Sequence, residues 1–542
     1  MQTVFVRLVQ FSAFMLQRFA VLIGHSLRSS CLPKRRLHMK SINDQNVQTV
    51  AIPDPAVGEP IRFSCDEGCH ANDGIVSIIK DYVTLQSQSV VCRPHRKLTD
   101  LGNSERYADM YRKIAKYNHT SGSWMVYDGT RWIRDTKMYH YNLARQVVRS
   151  MYSEAYLIGD TEKRKEMADH AKRSESYSRI KAMLNLAARD PQIACDDSDF
   201  DADPDLLNTP SGVFNLRTGV KIEHSPDLML SKITGIAPDP DHDPKAWLEL
   251  MEFVSNGKPD LKSALNRFAG SCASGRTPKE RVIIAYGEGA NSKSVTFETI
   301  ARCLGDYAAP VAIETLQTNR RAAGHSDDLA ALRGVRFTYA AEPSNGIHLD
   351  EGRIKALTGG DSIAVSRKGE HTFTYRPCAS IAILTNHKPR ITGRDTGIWR
   401  RVRLFPFQNI VPEGLRDPDY AAKLWEQSGP FILAWIISGA VRWYKDGYGD
   451  SETIQTATEV YRQDEDLIGA FIEDCCEIGG SFSTSASKLR TAYEKWCEEN
   501  GYKPFLGRAW KEALQEQGYP YKKTKYGRYY QGIQLRPEYR VE

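Results

Sequence analysis

The sequence predicts an α/β protein, with a helical domain ahead of the sheet and a helix–helix–hairpin module behind it. Three observations carry this. From residue 281 to about Phe407, short apolar strands alternate with helical stretches. The first of those strands, "RVIIAYG" (281–287), runs straight into "GEGANSKS" (287–294), which nearly spells a phosphate-binding loop. Residues 476–540 then change texture to two amphipathic helices and a basic hairpin.

The bulk numbers bound the answer. The chain has 542 residues, 41% hydrophobic and 26% charged, as in ordinary soluble globular protein. That length suits about three or four domains. A net charge of +6 permits nucleic-acid binding without demanding it. The 11 cysteines are odd in number and scattered, which suits a reducing cytoplasm rather than a disulfide framework. Cys65, Cys69, His70, Cys92 and His95 could hold zinc as C-x3-C…C-x2-H, but the spacing is not that of a common finger. Reduced thiols are the preferred reading. No run of ~20 apolar residues occurs near the start, because Arg7, Gln10, Gln17 and Arg18 interrupt it. "FILAWIISGAVRWY" (431–444) is too short to span a bilayer and reads as a buried helix, so no membrane partner is expected.

Taken in order, residues 1–38 carry no acid and resemble a transit peptide in composition. The preferred reading is a non-native extension, with Met39 as the start. Residues 39–98 show little pattern. "SWMVYDGTRWIRD" (123–135) places Asp128-Gly129 between alternating aromatic flanks, a hairpin signal. Residues 140–188 are helical in composition, and "LLNTPSGVFNLRTGVKI" (206–222) returns to short strands and glycine turns. "PDPDHDP" (238–244) reads as a linker, and a helical stretch follows from Lys245 to about Ser274. "SVTFETIARCLG" (294–305) is a helix closed by Gly305, and 415–475 is a further helical segment. In the tail, Leu489, Ala492, Tyr493, Trp496 and Cys497 share one helical face, 508–518 is a second helix, and 519–535 a hairpin.

The chemistry gathers at strand ends. Phosphates need converging backbone N–H groups, a lysine and a hydroxyl on the metal. The loop Gly287, Glu288, Gly289, Ala290, Asn291, Ser292, Lys293 and Ser294 offers these between a buried strand and a helix N-terminus. Ser292 stands where the pattern asks for glycine, which predicts nucleotide binding weaker by about 1 kcal/mol from backbone strain. "VRFTYAAEP" (335–343) is an apolar strand with Glu342 at its end, and "SIAILTN" (380–386) ends in Asn386, an amide able to position water. "GRDTGIWRRVRLFPF" (393–407) supplies Arg400, Arg401 and Arg403 beside Trp399. The pattern of 357–377 makes a hairpin with Arg367 and Lys368 at its tip, suited to a phosphate backbone.

Together, "GEGANSKS", "AAEPSNG", "IKALTGGD", "LTNHKPRITGRDTGIWRR" and "FPF" resemble the ordered motifs of a superfamily 3 helicase. More narrowly they are similar to the helicase half of phage and plasmid primase–helicases, the group that includes the poxvirus primase–helicase. "LTDLGNSERYADMY", "WMVYDGTRW" and "LLNTPSGVFNLRTG" resemble that family's lead-in domain, so the likeness covers about residues 98–540. It implies a lead-in domain over 99–237, a P-loop NTPase (AAA+-like) core over 245–410 and a C-terminal winged helix over 476–540. It also implies an oligomeric ring, usually hexameric, with ATP and Mg²⁺ between subunits. Lys293 and Ser294 would bind ATP and Mg²⁺, Glu342 would be the Walker B acid and Mg²⁺ ligand, and Asn386 the sensor. Arg400 or Arg401 would act on a neighbour's ATP, and Lys368 would line the pore. The Walker B strand departs from the family in ending Ala341-Glu342 rather than in two acids.

The expected function is that of an ATP-driven DNA helicase for replication of a phage, prophage or mobile element, with single-stranded or forked DNA as its partner, which is compatible with further replication-protein partners. In the tail, Lys522, Lys523, Lys525 and Arg528 among five tyrosines would add DNA contacts. The alternatives are a DNA-binding initiator with little or no ATPase, and an active primase. The roughly sixty residues between Met39 and the lead-in domain are expected to be too few for a primase site.

Overall fold

The computed structural model describes residues 96–277, 282–318, 326–341, 347–366, 372–391, 396–449, 451–502, 504–525 and 527–539. The expectations for residues 1–95, including the zinc candidates, and for Glu342, Arg367, Lys368 and Tyr526 fall outside them. The described residues all belong to the unit Phe63–Glu542.

The lead-in region opens with α1 (Asp100–Tyr111), whose first turn is capped by Thr99 Oγ1 accepting from Gly102 N at 3.1 Å. Strands β1 (Ala115–Asn118), β2 (Ser123–Tyr127) and β3 (Trp132–Arg134) are antiparallel neighbours. The expected hairpin is β2–β3: Asp128 Oδ1 accepts from the N–H groups of Thr130 and Arg131, and Gly129 takes φ 99°. Helices α2 (Tyr139–Leu157), α3 (Thr161–Ser174) and α4 (Tyr177–Ala187) bury Leu143, Val147, Met151 and Met183 against Tyr107 and Tyr111. A short β4 (Ala194–Cys195) pairs with β1. The strands β5 (Leu206–Thr209), β6 (Gly212–Asn215) and β7 (Lys221–Ile222) then form a small antiparallel sheet.

The helical stretch from Lys245 is two helices, α5 (Lys245–Val254) and α6 (Pro259–Ala273). Asn256 and Gly257 break it at φ 50° and 72°, and Pro259 opens the second helix at a position where its missing N–H costs nothing. Beyond β8 (Val282–Tyr286) the chain alternates through α7 (Lys293–Leu304), β9 (Ala308–Pro310), α8 (Ser326–Ala331), β10 (Phe337–Ala341) and α9 (Glu351–Thr358). A hairpin of β11 (Ile363–Val365) and β12 (Phe373–Tyr375) follows, where the sequence pattern placed one, with Ala364 opposite Thr374. The alternation closes with β13 (Ser380–Thr385), α10 (Thr396–Trp399) and β14 (Val402–Pro406).

Five of these strands form one parallel sheet in the order β14-β8-β13-β10-β9. Its strands are apolar because both faces are covered. Ile283, Ala285, Ala382, Leu384 and Phe405 enter the core shared with α6 and α7. Val282, Ile284, Ile381, Ile383 and Leu404 enter the opposite one with Ile354 and Trp399. The apolar run 431–444 lies inside the long helix α11 (Tyr420–Asp446), buried through Ile432, Leu433, Ile436, Ile437 and Ala440. It crosses α6 at a pair of glycines. A Cβ on Gly270 would lie 2.0 Å from Ala440 N, and one on Gly439 2.1 Å from Asn266 O, so the two backbones touch.

The lead-in region packs on the amino ends of this sheet. Asp205, just before β5, accepts from Arg276 Nε at 2.6 Å and Arg276 Nη2 at 2.8 Å, and from Tyr444 OH of α11 at 2.6 Å. Arg217 pairs with the same carboxylate, and the Arg276 guanidinium holds it well below the usual carboxylate range. Arg336, immediately before β10, is buried and donates to the carbonyls of Leu206 (2.8 Å) and Ala273 (2.7 Å) while lying over the Tyr307 ring.

After α11 come α12 (Glu452–Asp464) and α13 (Leu467–Cys475). Helix α12 runs along the outer edge strand β14, and Thr458 Oγ1 accepts from Leu404 N at 3.0 Å, covering part of that edge. The tail consists of β15 (Cys476–Ser485), α14 (Ala486–Glu499), α15 (Gly507–Glu516), β16 (Tyr521–Thr524) and β17 (Gly527–Leu535), with the sheet order β15-β17-β16. Both helices and the hairpin match the sequence reading, and Leu489, Ala492, Tyr493, Trp496 and Cys497 are all buried. Strand β15 is additional.

Candidate functional site

In an open parallel sheet, ligands bind beyond the carboxyl ends of the strands. Here Tyr286, Ala341, Thr385 and Pro406 end neighbouring strands on one edge, opposite the lead-in region. The loop 287–292 lies on that edge, between β8 and α7. Its backbone fits few sequences. Gly287 has no room for a side chain, because a Cβ there would lie 2.1 Å from Asn291 Nδ2 and 2.2 Å from Phe407 O. Gly289, Ala290 and Ser292 take φ 101°, 47° and 62°. Ser292 (ψ 16°) thus occupies the left-handed region that the sequence pattern fills with glycine, at a cost of about 1 kcal/mol.

Lys293 begins α7, a helix with no side-chain cap, so its first N–H groups face the loop. The lysine is only 6% exposed. Its Nζ donates to Gly287 O at 2.7 Å, Asn291 Oδ1 at 2.8 Å and Asn386 Oδ1 at 2.9 Å. All three acceptors are neutral. Burial therefore lowers the ammonium's pKa from its ordinary 10.5 to about 8. A buried cation held by neutral dipoles at an uncapped helix N-terminus is a receptor for an anion. Asn291 is buried as well and donates to Phe407 O at 3.3 Å, which fixes the oxygen it turns to the lysine. The spacing of the loop gave no sign of this orienting role.

The structure brings Lys293 and Asn386 together and leaves the Ser294 side chain exposed in the first turn of α7. Glu288 and Ala290 are exposed at the loop tip, where Ala290 O accepts from Val411 N at 2.7 Å. It does not bring Arg400 or Arg401 to this loop. Both precede β14, whose first residue Val402 pairs with Val282, so five residues of strand, roughly 16 Å, separate them from Gly287. Arg401 donates to Gly397 O, whereas the Arg400 side chain is exposed and its carbonyl accepts from Arg403 Nη1 at 3.4 Å. In the tail, Lys522, Lys523, Lys525 and Arg528 are exposed. Lys523 and Arg528 sit directly opposite each other across β16–β17, a like-charge pair that an anion would relieve. Of the tail tyrosines, Tyr519, two residues before β16, and Tyr530, on the inward side of β17, are core residues, not surface ones.

Among the described residues no group of three or more His, Cys, Asp or Glu side chains is arranged to hold a metal. No described helix is long and apolar enough to cross a membrane.

Residues 104–256 match the family described as "D5 N terminal like", 285–401 a "Family of unknown function (DUF5906)", and 463–532 the family "Poxvirus D5 protein-like". A protein named "Putative helicase L207/L206" from Acanthamoeba polyphaga mimivirus is 25% identical over 411 residues, covering 68% of this chain and 42% of its own length. "Putative helicase 022R" of Frog virus 3 is 26% identical, covering 46% of this chain and 28% of its own length. "Putative primase C962R" of African swine fever virus is 25% identical, covering 56% and 34%. The chain thus spans less than half the length of these relatives. A solved structure of the NrS-1 C-terminal region aligns with 77% of this chain and 94% of its own, at 9% identity and a TM-score of 0.41. With a D5 N terminal like segment ahead of the parallel sheet and a Poxvirus D5 protein-like segment in the tail, the chain is similar to proteins named putative helicase or putative primase in large DNA viruses.

Proposed function

We propose that the chain is an ATP-driven DNA helicase that hydrolyses ATP between copies of itself in a ring, most simply a hexamer. The observation that carries the reading is Lys293, a buried ammonium with three neutral acceptors at the uncapped start of α7. A polyphosphate is the ligand that such a site accommodates.

In this reading Lys293 turns from its neutral acceptors to the β- and γ-phosphates. The backbone N–H groups of 288–293 surround the phosphate oxygens. Asn386, released from the lysine, holds the attacking water in line with the γ-phosphate. Ser294 and Glu342 would hold Mg²⁺, which supplies charge neutralisation across the phosphates. Arg400 or Arg401 would reach a neighbouring copy's nucleotide, as their distance from their own loop supports. Arg367 and Lys368 would grip one DNA strand, and Lys522, Lys523, Lys525 and Arg528 would add backbone contacts.

A forked-duplex assay tests the reading. Strand separation that requires ATP and Mg²⁺, with ATP turnover stimulated by single-stranded DNA, is the expected result. DNA binding without turnover would instead favour the initiator reading.

The lysine also predicts a pH dependence. Below about pH 8 the ammonium is charged and attracts phosphate, and above it the free protein holds a neutral amine. Phosphate binding raises that pKa again, so binding takes up a proton. ATP affinity is expected to weaken by up to about tenfold per pH unit above 8, read by nucleotide titration at pH 7, 8 and 9. A flat profile would mean that the ammonium stays charged throughout.

A further inference from the structure

The lead-in region carries a cationic and aromatic face to which the function proposed above gives no ligand. Helix α2 buries Leu143, Val147, Val148 and Met151 on one side. On the other, Tyr141, Arg145, Arg149, Tyr152 and Tyr156 follow one another at steps of three or four residues. They therefore fall in one stripe along the helix. The last four are exposed, Tyr156 to 83%. Tyr177, 69% exposed, opens α4 beside this stripe. Burial first, and the Tyr177 hydroxyl next, raise the Tyr141 phenol above its ordinary range, so the two side chains adjoin. Lys181 Nζ lies 6.0 Å over the Tyr177 ring.

The free charges of this face are of one sign. Glu154, the one acid of α2, is turned to Arg106 at 3.4 Å. Glu175, between α3 and α4, accepts from Tyr152 OH at 2.9 Å. Among the described residues Arg145, Arg149 and Lys181 make no ion pair. Two arginines at i and i+4 repel each other and destabilise their helix slightly, a cost that a bound anion removes. A merely solvated helix face mixes both signs of charge.

We propose that this face of α2 and α4 binds single-stranded DNA. Arg145 and Arg149 stand about 6 Å apart along the helix axis, close to the separation of successive phosphates in an extended strand, and each takes one. Tyr156 and Tyr177 stack on unpaired bases, whose π-faces are free, whereas the bases of a duplex are already stacked on one another. From Tyr141 to Tyr156 the stripe runs roughly 22 Å, room for several nucleotides. Neither kind of contact reads base edges, so little sequence preference is expected. A protein partner would have to bring a row of carboxylates, and a nucleic-acid strand matches the cations and the rings together. The surface needs no bound nucleotide and stands apart from the reading of Lys293.

Cross-linking and titration of the full chain, both without ATP, test this. Oligo-dT carrying 5-iododeoxyuridine is expected to photo-cross-link to Tyr156 or Tyr177 of the unsubstituted protein, mapped by mass spectrometry. The double variant Tyr156→Ala/Tyr177→Ala is expected to bind oligo-dT about tenfold more weakly, and a blunt duplex of the same length within about threefold of wild type. Arg145→Ala/Arg149→Ala loses two phosphate contacts, so the slope of log affinity against log salt becomes shallower by about 1.4, and Arg145→Lys/Arg149→Lys keeps the wild-type slope. All four side chains are exposed, so melting temperatures close to wild type are expected. Cross-links confined to other regions, an unchanged oligo-dT affinity in the tyrosine variant, an unchanged salt slope in the arginine-to-alanine variant, or equal losses for duplex and single strand would each overturn the proposal. Loss of self-association with DNA binding intact would overturn it as well and assign the face to a second copy. Absence of ATP turnover would end the helicase reading and leave this surface standing.

Discussion

Lys293→Ala removes ATP turnover by at least a hundredfold while leaving the melting temperature close to that of the parent. Both halves of this expected result come from the same geometry. Each charge-assisted hydrogen bond to phosphate contributes about 1.5–3 kcal/mol, and two of them lost amount to a factor of a hundred or more. The fold, by contrast, gains little from the lysine. Its ammonium is buried among Gly287 O, Asn291 Oδ1 and Asn386 Oδ1 without a carboxylate, and its lowered pKa shows that charging it costs folding free energy. From about pH 8 to its ordinary value of 10.5 the unfolded chain binds more protons at this group. Its unfavourable contribution is therefore fully present below about pH 8 and lessens as pH rises through that window. Steady-state ATPase with single-stranded DNA and a thermal melt on the same sample check the pair. Retained turnover would end the nucleotide reading, and a collapsed melt would mean that the lysine is structural.

Gly439→Ala is expected to lower stability by about 3 kcal/mol or more, a fall in melting temperature of roughly 6–12 °C. The new Cβ would stand 2.1 Å from Asn266 O and 2.9 Å from Asn266 Nδ2. The obstacle is backbone, so no side chain can rotate away. Helices α6 and α11 would have to part by about 1 Å along a contact that also positions Gly270 against Ala440 N. Asn266 Nδ2 now donates to Trp435 O at 2.9 Å, and that bond would be strained too. Gly414→Ala is the control, because a Cβ there would meet nothing within 4 Å. Equal melting of the two variants would show that the helices can shift without cost.

Local patterns carried much of the architecture. Apolar runs became the buried strands β8, β10 and β13, and the face of Leu489, Ala492, Tyr493, Trp496 and Cys497 is the one that α14 buries. Gly305 closes α7 at φ 56°, as a terminal glycine should. Three features were less legible, each for a physical reason. Strand β15 is built from "CEIGGSFSTS", small polar residues with little strand preference, and exists because β17 pairs with it through a register shift between Ile478 and Ser483. The break between α5 and α6 hid in an Asn-Gly step inside a helical composition. At the candidate site, the loop and Asn386 could be read along the chain, but the partnership of Asn291 with Lys293 could not, since it depends on where Phe407 O lies.

The Asp205 cluster bears on how the chain can be divided. The proline-rich stretch 238–244 looks like the natural place to cut or to splice in a homologous region. Yet Asp205 lies before it, while Arg276 and Tyr444, which hold that carboxylate, lie after it. Leu207 and Leu216 likewise share a core with α6 and α11. A graft that exchanged only the front half would carry a carboxylate to a new host lacking its arginine and tyrosine. The working unit of exchange is therefore the pair of regions together, and modules in this chain are defined by shared side-chain networks rather than by linker composition.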